Sequence, residues 1–183
     1  MGTGTALHPT RCACIERQPV FVVATAAPDG RVNVSPKGMG TLRILGDAHV
    51  RWLDLSGSGN ETASHPQTSS RMPLKFRTFE GSPMILRVHG QATASRPRDR
   101  NWDGKVAGFP VLAGSRRNFD LRVDLVRASR GSGIPVMRFV KNRGEEELVP
   151  YCERMSQEGV TGYWRRKNTV SIDSMAPGIL DDD

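Results

Sequence analysis

Apolar residues along this chain come in short runs separated by turn-forming residues, a spacing that predicts strands more than long helices. Gln18 to Ala26 carries Val20-Phe21-Val22-Val23-Ala24-Thr25, dense in β-branched and aromatic residues, and predicts a buried strand. Pro28-Asp29-Gly30 predicts a turn, because Pro presets φ and Gly accepts φ > 0. Arg31 to Ser35 alternates as the second arm of a hairpin, with Asn33 and Ser35 on one face; Pro36 is expected to end the pairing. Further strands are predicted at Thr41–Leu45, Ala48–Leu55 and Met72–Phe79. In the last of these Met72, Leu74, Phe76 and Thr78 share a face opposite Lys75, Arg77 and Phe79. Met84 to Ala94 forms a longer strand in which Gly90 marks a bulge or bend. In Asn118–Ala128 the residues Phe119, Leu121, Val123 and Leu125 oppose Asp120, Arg122 and Asp124, the pattern of a half-buried antiparallel strand. Val136–Val140 reads as a last short strand.

Helices are brief by the same reading. One begins near Asn60 and is interrupted by Pro66, and one or two turns are expected near Asp99–Ala107. A helix broken around Gly159 and Gly162 is expected over Tyr151–Asn168, followed by an extended tail from Val170 to Leu180. Residues 1–17 read as irregular, 18–178 as one domain, and 179–183 as an acidic tail. The fold class is mostly β with short helices, an antiparallel barrel.

Charge narrows the picture little. Lys and Arg number 26 against 19 Asp and Glu, a formal net charge of +7. The basic residues are scattered apart from Arg116-Arg117 and Arg165-Arg166-Lys167. Aromatics are 6% and do not alternate with the cations as a base-stacking surface requires, so no nucleic-acid partner is expected. No apolar run approaches the roughly 20 residues that span a bilayer, and residues 1–17 hold no apolar signal core, so the expectation is a cytoplasmic protein without a membrane partner. Cys12, Cys14 and Cys152 form no spacing for a structural zinc site, with or without His8, and no metal is expected. The four histidines show no triad spacing, and no general acid or base is assigned.

The candidate chemistry lies in Leu53-Asp54-Leu55-Ser56-Gly57-Ser58-Gly59-Asn60-Glu61-Thr62. A strand hands over to a helix through a loop of Ser and Gly, with Ser58 or Asn60 as N-cap and Glu61 in the first turn. Backbone amides and small hydroxyls there suit a phosphate; the same pattern also fits a capped turn that binds nothing.

Six segments in order resemble the pyridoxamine 5′-phosphate oxidase-like family, the flavin-binding split barrels. They are Phe21-Val22-Val23-Ala24-Thr25; Val32-Asn33-Val34-Ser35-Pro36-Lys37-Gly38; the Leu53–Thr62 stretch; Phe79-Glu80-Gly81 with Ile85-Leu86-Arg87-Val88-His89-Gly90; Gly131-Ser132-Gly133-Ile134-Pro135; and Lys167-Asn168-Thr169-Val170-Ser171-Ile172-Asp173. The resemblance implies a six-stranded antiparallel split β-barrel, a homodimer with flavin mononucleotide (FMN) between subunits, and hydride transfer through flavin N5 between a reduced donor and a small acceptor. It implies a phosphate contact from Ser56, Gly57, Ser58, Gly59, Asn60, Glu61 and Thr62, and a cation, Lys37 beside Gly38, near the flavin ring. Asn33 and Ser35 would bond the ring edge, Arg71 and Arg87 would reach phosphate, and Lys167 and Asn168 with Trp164 would reach the partner's flavin. Ser64–Thr68, Lys75, Arg77, Arg130 and Ser132 depart from the family pattern. The alternative is a non-catalytic split-barrel module for another anionic ligand such as haem, a nucleotide or a deazaflavin. Ile172, Met175 and Ile179, with no helix to pack them, are the residues expected to bury in a dimer.

Overall fold

A computed structural model describes residues 2–180 of the chain. In order, its elements are β1 (Thr3–Gly4), α1 (Pro9–Glu16), β2 (Phe21–Thr25), β3 (Asn33–Lys37), β4 (Leu42–Gly46), β5 (His49–Leu55), α2 (Glu61–Ser64), β6 (Leu74–Arg77), β7 (Ile85–Ser95), α3 (Trp102–Val106), β8 (Ser115–Ser129), α4 (Arg143–Glu146), α5 (Leu148–Glu153) and α6 (Gln157–Lys167). All pairings are antiparallel, in the order β3-β2-β6-β7-β8-β5-β4, with β1 added to β8. The mostly β class and the antiparallel ladder therefore stand, with eight strands where the resemblance implies six. The sheet curls until Phe21 of β2 and Trp52 of β5, from opposite flanks, meet edge to face at 6.1 Å. No ladder joins the two ends of that order, β3 and β4, and this is where the barrel is split.

Period-two alternation fills the interior. Val23, Val50, Trp52, Leu74, Phe76, Leu86, Val88, Phe119 and Leu121 are all buried, and Trp52 stacks on Phe119 at 4.5 Å. Met72, Leu74, Phe76 and Thr78 form the inward face predicted from their spacing. The alternation of β8 breaks at a bulge of its own: His89 and Gly90, adjacent in β7, pair with Leu125 and Val123, which leaves Asp124 as the extra residue. Beyond that point the faces exchange: Leu125 turns outward, 36% exposed, and Val126 turns in, fully buried. An extra residue in one strand flips every later side chain of that same strand relative to its partner. Gly90 is required there, since a Cβ would lie 2.1 Å from the Arg122 carbonyl oxygen.

Several expectations are corrected. Pro36 does not end the hairpin; it pairs with Val22 within β3, which is tolerated because β3 is an edge strand and its missing N–H breaks no ladder bond. Within the expected irregular segment 1–17, residues 2–17 hold regular structure. Pro9 opens α1, and Leu7, Cys14 and Ile15 are buried against the barrel. Residues 136–140 form no strand. The C-terminal helix breaks at 154–156, not at Gly159 or Gly162, because Ser156 caps a new helix by accepting from the Gly159 amide at 3.1 Å. Ile179 is not left bare but packs with Val160 and Trp164 of α6. Residues 181–183 of the expected acidic tail lie outside the described residues. Among the described residues, no helix is long and apolar enough to cross a membrane.

The bulge gives a stability test. Gly90→Ala forces a methyl group into the Arg122 carbonyl and should destabilise the fold by about 1–3 kcal/mol or more, read as a lower urea midpoint with an unchanged slope.

Candidate functional site

The ends of β3 and β5 and the start of β8 bring three charged groups together. Asp54 is fully buried. Its Oδ1 accepts from Lys37 Nζ at 2.8 Å and its Oδ2 from Arg116 Nε at 2.8 Å. Arg116 also donates to the Gly57 and Gly59 carbonyls at 3.0 and 2.7 Å. Lys37 stands over the Trp52 ring, 5.4 Å from its centre. Burial pushes the Asp54 carboxyl up, but Arg116 and Lys37 more than reverse this and hold it at about 2, against 3.8 ordinarily. Asp54 is therefore ionised at neutral pH, and the two cations and one carboxylate leave one net positive charge.

These residues border a cavity of about 300 Å³ lined also by Ser35, Gly38, Ser56 and Leu148. The structure thus joins two separate candidates, the Lys37-Gly38 turn and the Ser56–Gly59 loop, at a single pocket. On β3 the polar residues are the sheltered ones: Asn33, Ser35 and Lys37 are half-buried, while Val32 and Val34 are 69% and 65% exposed. Asn33 and Ser35 therefore do not simply face solvent. Asn33 Nδ2 donates to the Thr25 and Thr62 hydroxyls at 3.1 and 2.9 Å.

The loop itself is not a free row of donors. Ser56 Oγ donates to the Gly114 carbonyl at 2.7 Å and accepts from Trp164 Nε1 at 2.8 Å. The Asn60 side chain makes no cap; its Nδ2 donates to the Val170 carbonyl at 3.1 Å. Glu61 folds back to accept from the Asn60 amide at 3.1 Å and from the Ile172 amide at 3.2 Å, so a carboxylate of the chain already faces the start of the four-residue α2. Ser58 is exposed. In front of the loop there is space: a Cβ on Gly57 would meet nothing within 4 Å.

The remaining candidates divide. Asn168 is buried beside the loop, donating from Nδ2 to the Gly57 carbonyl at 2.9 Å, and its Oδ1 has no partner among the described residues. Lys167 is exposed on the last turn of α6. Arg71 is exposed and bonds Ser69 Oγ at 3.2 Å, and Arg87 bonds Ser129 Oγ at 3.2 Å; neither lines the cavity. Asp54 and Arg116 were not singled out from sequence. A usable signal was present: Asp54 interrupts an apolar strand, and Arg116 opens another, positions where a charge must find an opposite charge to be buried. Among the described residues, no group of three or more His, Cys, Asp or Glu is placed to hold a metal ion.

Asp54→Asn should leave Lys37 and Arg116 without a counter-charge and cost about 3–5 kcal/mol at neutral pH, read from denaturant melts. Because the folded-state pKa of Asp54 is depressed, its contribution, roughly 2 kcal/mol, is present above the ordinary carboxylate range and is lost as pH falls towards 2. The wild-type chain should lose stability across that window, and the variant should lack this component.

No family model matches the sequence. A pyridoxamine 5′-phosphate oxidase family protein of Aspergillus flavus, ustO, is 33% identical over 139 residues, covering 73% of this chain; the chain spans 56% of that relative's length. Among solved structures, HupZ of Group A Streptococcus aligns with a TM-score of 0.55 at 15% identity, over 67% of this chain and 99% of that one. A Lactobacillus delbrueckii protein assigned to the pyridoxamine 5′-phosphate oxidases aligns at 0.53 and 17% identity, over 68% and 95%. The structural likenesses speak for the fold, the Aspergillus likeness for the lineage. Together they place the chain in the pyridoxamine 5′-phosphate oxidase-like family.

Proposed function

We propose that the chain is an FMN-binding oxidoreductase that works as a homodimer, with the cavity beside Lys37, Asp54 and Arg116 as part of its flavin site. The observation that carries this reading is the buried Asp54 gripping two cations that also line an open pocket. A flavin when bound supplies a hydride acceptor and donor at N5. The donor set suits it, since the surplus positive charge complements both a phosphate ester and the anionic edge of a reduced ring. The unpartnered Asn168 Oδ1 adds a buried acceptor next to the Gly57 carbonyl.

In this reading Lys37 and Arg116 provide charge, and Asp54 fixes both cations before any ligand arrives. Preorganisation of this kind avoids rearrangement when the ligand binds. The Gly57–Gly59 backbone gives close approach, and Ser35 offers a hydroxyl on the same face as Lys37. Val170 and Ile172, 59% and 64% exposed beside the loop, are surfaces for a second subunit. The internal bonds of Ser56, Asn60 and Thr62 favour the second reading, a non-catalytic module for another anionic ligand.

The chain purified from cells should carry flavin absorption bands, and FMN should titrate into the stripped protein at one per chain. Lys37→Gln should weaken FMN by about tenfold and lower turnover with a reduced nicotinamide donor, while Asp54 stays paired with Arg116. A folded chain that takes up no FMN transfers the assignment to the second reading.

A further inference from the structure

A second, larger cavity of about 820 Å³ lies between residues 17–20, which lead into β2, residues 77–80 at and after the end of β6, and the segment 137–143. That segment is pinned by the Met137 amide donating to the Phe79 carbonyl at 3.1 Å. Four arginines line the cavity: Arg17 after α1, Arg77 at the end of β6, and Arg138 and Arg143 from the segment 137–143. None has an ion pair among the described residues. A fifth cation, Lys141, is paired with Glu146, and the only acid in the lining is Glu80. Two rings, Phe79 and Phe139, share the walls, and Phe139 is 52% exposed. The Arg77 guanidinium sits over the Phe79 ring, 4.8 Å from its centre, and is paired with no carboxylate among the described residues.

We propose that this cavity binds a nucleoside diphosphate, or a dinucleotide built on one. The diphosphate lies among Arg17, Arg77, Arg138 and Arg143, and the base lies against Phe79 or Phe139. Guanidinium forks match phosphate oxygens in pairs, and an exposed ring face takes any planar base. The volume is that of a small-molecule site, and its concave shape does not suit a polymer laid across it. An intermediate cavity of about 510 Å³ shares Phe139, Lys141 and Arg143 with this one and Lys37, Gly38 and Met39 with the flavin candidate. The ligand class stands on the outer cavity alone. That the nucleotide belongs to the electron donor, its reactive end running along the trough to Lys37, rests on the flavin reading above.

The test is calorimetric titration of the full chain with ADP, with and without saturating FMN. ADP is expected to bind once per chain, and adenosine or pyrophosphate alone to bind at least about tenfold more weakly. Arg77→Ala and Arg143→Ala should each weaken ADP by about tenfold, Phe139→Ser less, and none should change FMN loading. Folded chain that does not bind ADP, or binding indifferent to both arginine substitutions, overturns the proposal. So does displacement of ADP by FMN, which would mean that ADP was reading the flavin pocket, or a short RNA that binds more tightly than ADP at the same arginines. If ADP is silent and Phe139→Asp converts a dimer to monomers, the segment is a subunit contact and the proposal falls. The ADP arm is readable even if the chain takes up no flavin, so the two readings fail separately.

Discussion

The buried carboxylate of Asp54 is the interaction on which the pocket depends. An isolated charge at that depth would be expelled or neutralised, and it persists only because two cations meet it with good geometry. Each cation is recruited from a different part of the chain, Lys37 from the edge strand β3 and Arg116 from the start of β8. Arg116 then extends the constraint outward, holding the Gly57 and Gly59 carbonyls and so setting the path of the loop. The salt bridge is therefore less a source of net stability than a device that fixes where three segments meet and leaves a positive surplus facing the cavity.

The loop after β5 shows how a local pattern and its tertiary use diverge. Ser, Gly and Asn before a helix suggest amides and hydroxyls offered to an anion. In the folded chain the carbonyls point at a guanidinium, Ser56 is bonded to Gly114 and Trp164, and Glu61 supplies the anion for its own helix start. The C-terminal segment completes this arrangement: Trp164 of α6, Asn168 just after it and the Val170 carbonyl all bond the loop from more than 100 residues away in sequence. The positive charge available to a ligand comes from Lys37 and Arg116, not from the helix dipole of a four-residue helix.

Outside the barrel, charge is arranged differently. Asp120 gathers His49, Arg51 and Lys105 on one flank, and burial, which would raise its carboxyl, is outweighed by these three donors so that it stays lowered. The arginines beside Phe79 and Phe139 form no ion pair among the described residues. The fold thus neutralises its cations at Asp120 and leaves those beside the outer cavity without an ion pair among the described residues.

The strands were legible from sequence because burial on one face imposes a period of two, and the runs around Phe21, Trp52, Phe76 and Phe119 obey it. The place of the bulge was legible as well, since Gly90 interrupts an apolar strand, although the extra residue is Asp124 of the partner strand β8. Its consequence was not: that Leu125 faces out and Val126 in depends on which strand pairs with β7, a long-range fact. Pro36 in a strand, α1 near the N-terminus and the helix break at 154–156 were likewise decided by an edge position, by the burial of Leu7, Cys14 and Ile15, and by the Ser156 cap. Of the site, the residue types near the pocket could be read along the chain, but the pairing of Asp54 with Lys37 and Arg116 could not. Hydrophobic periodicity is local and leaves its trace in every strand, whereas an ion pair between residues 62 positions apart leaves none until the sheet curls and brings them within 2.8 Å.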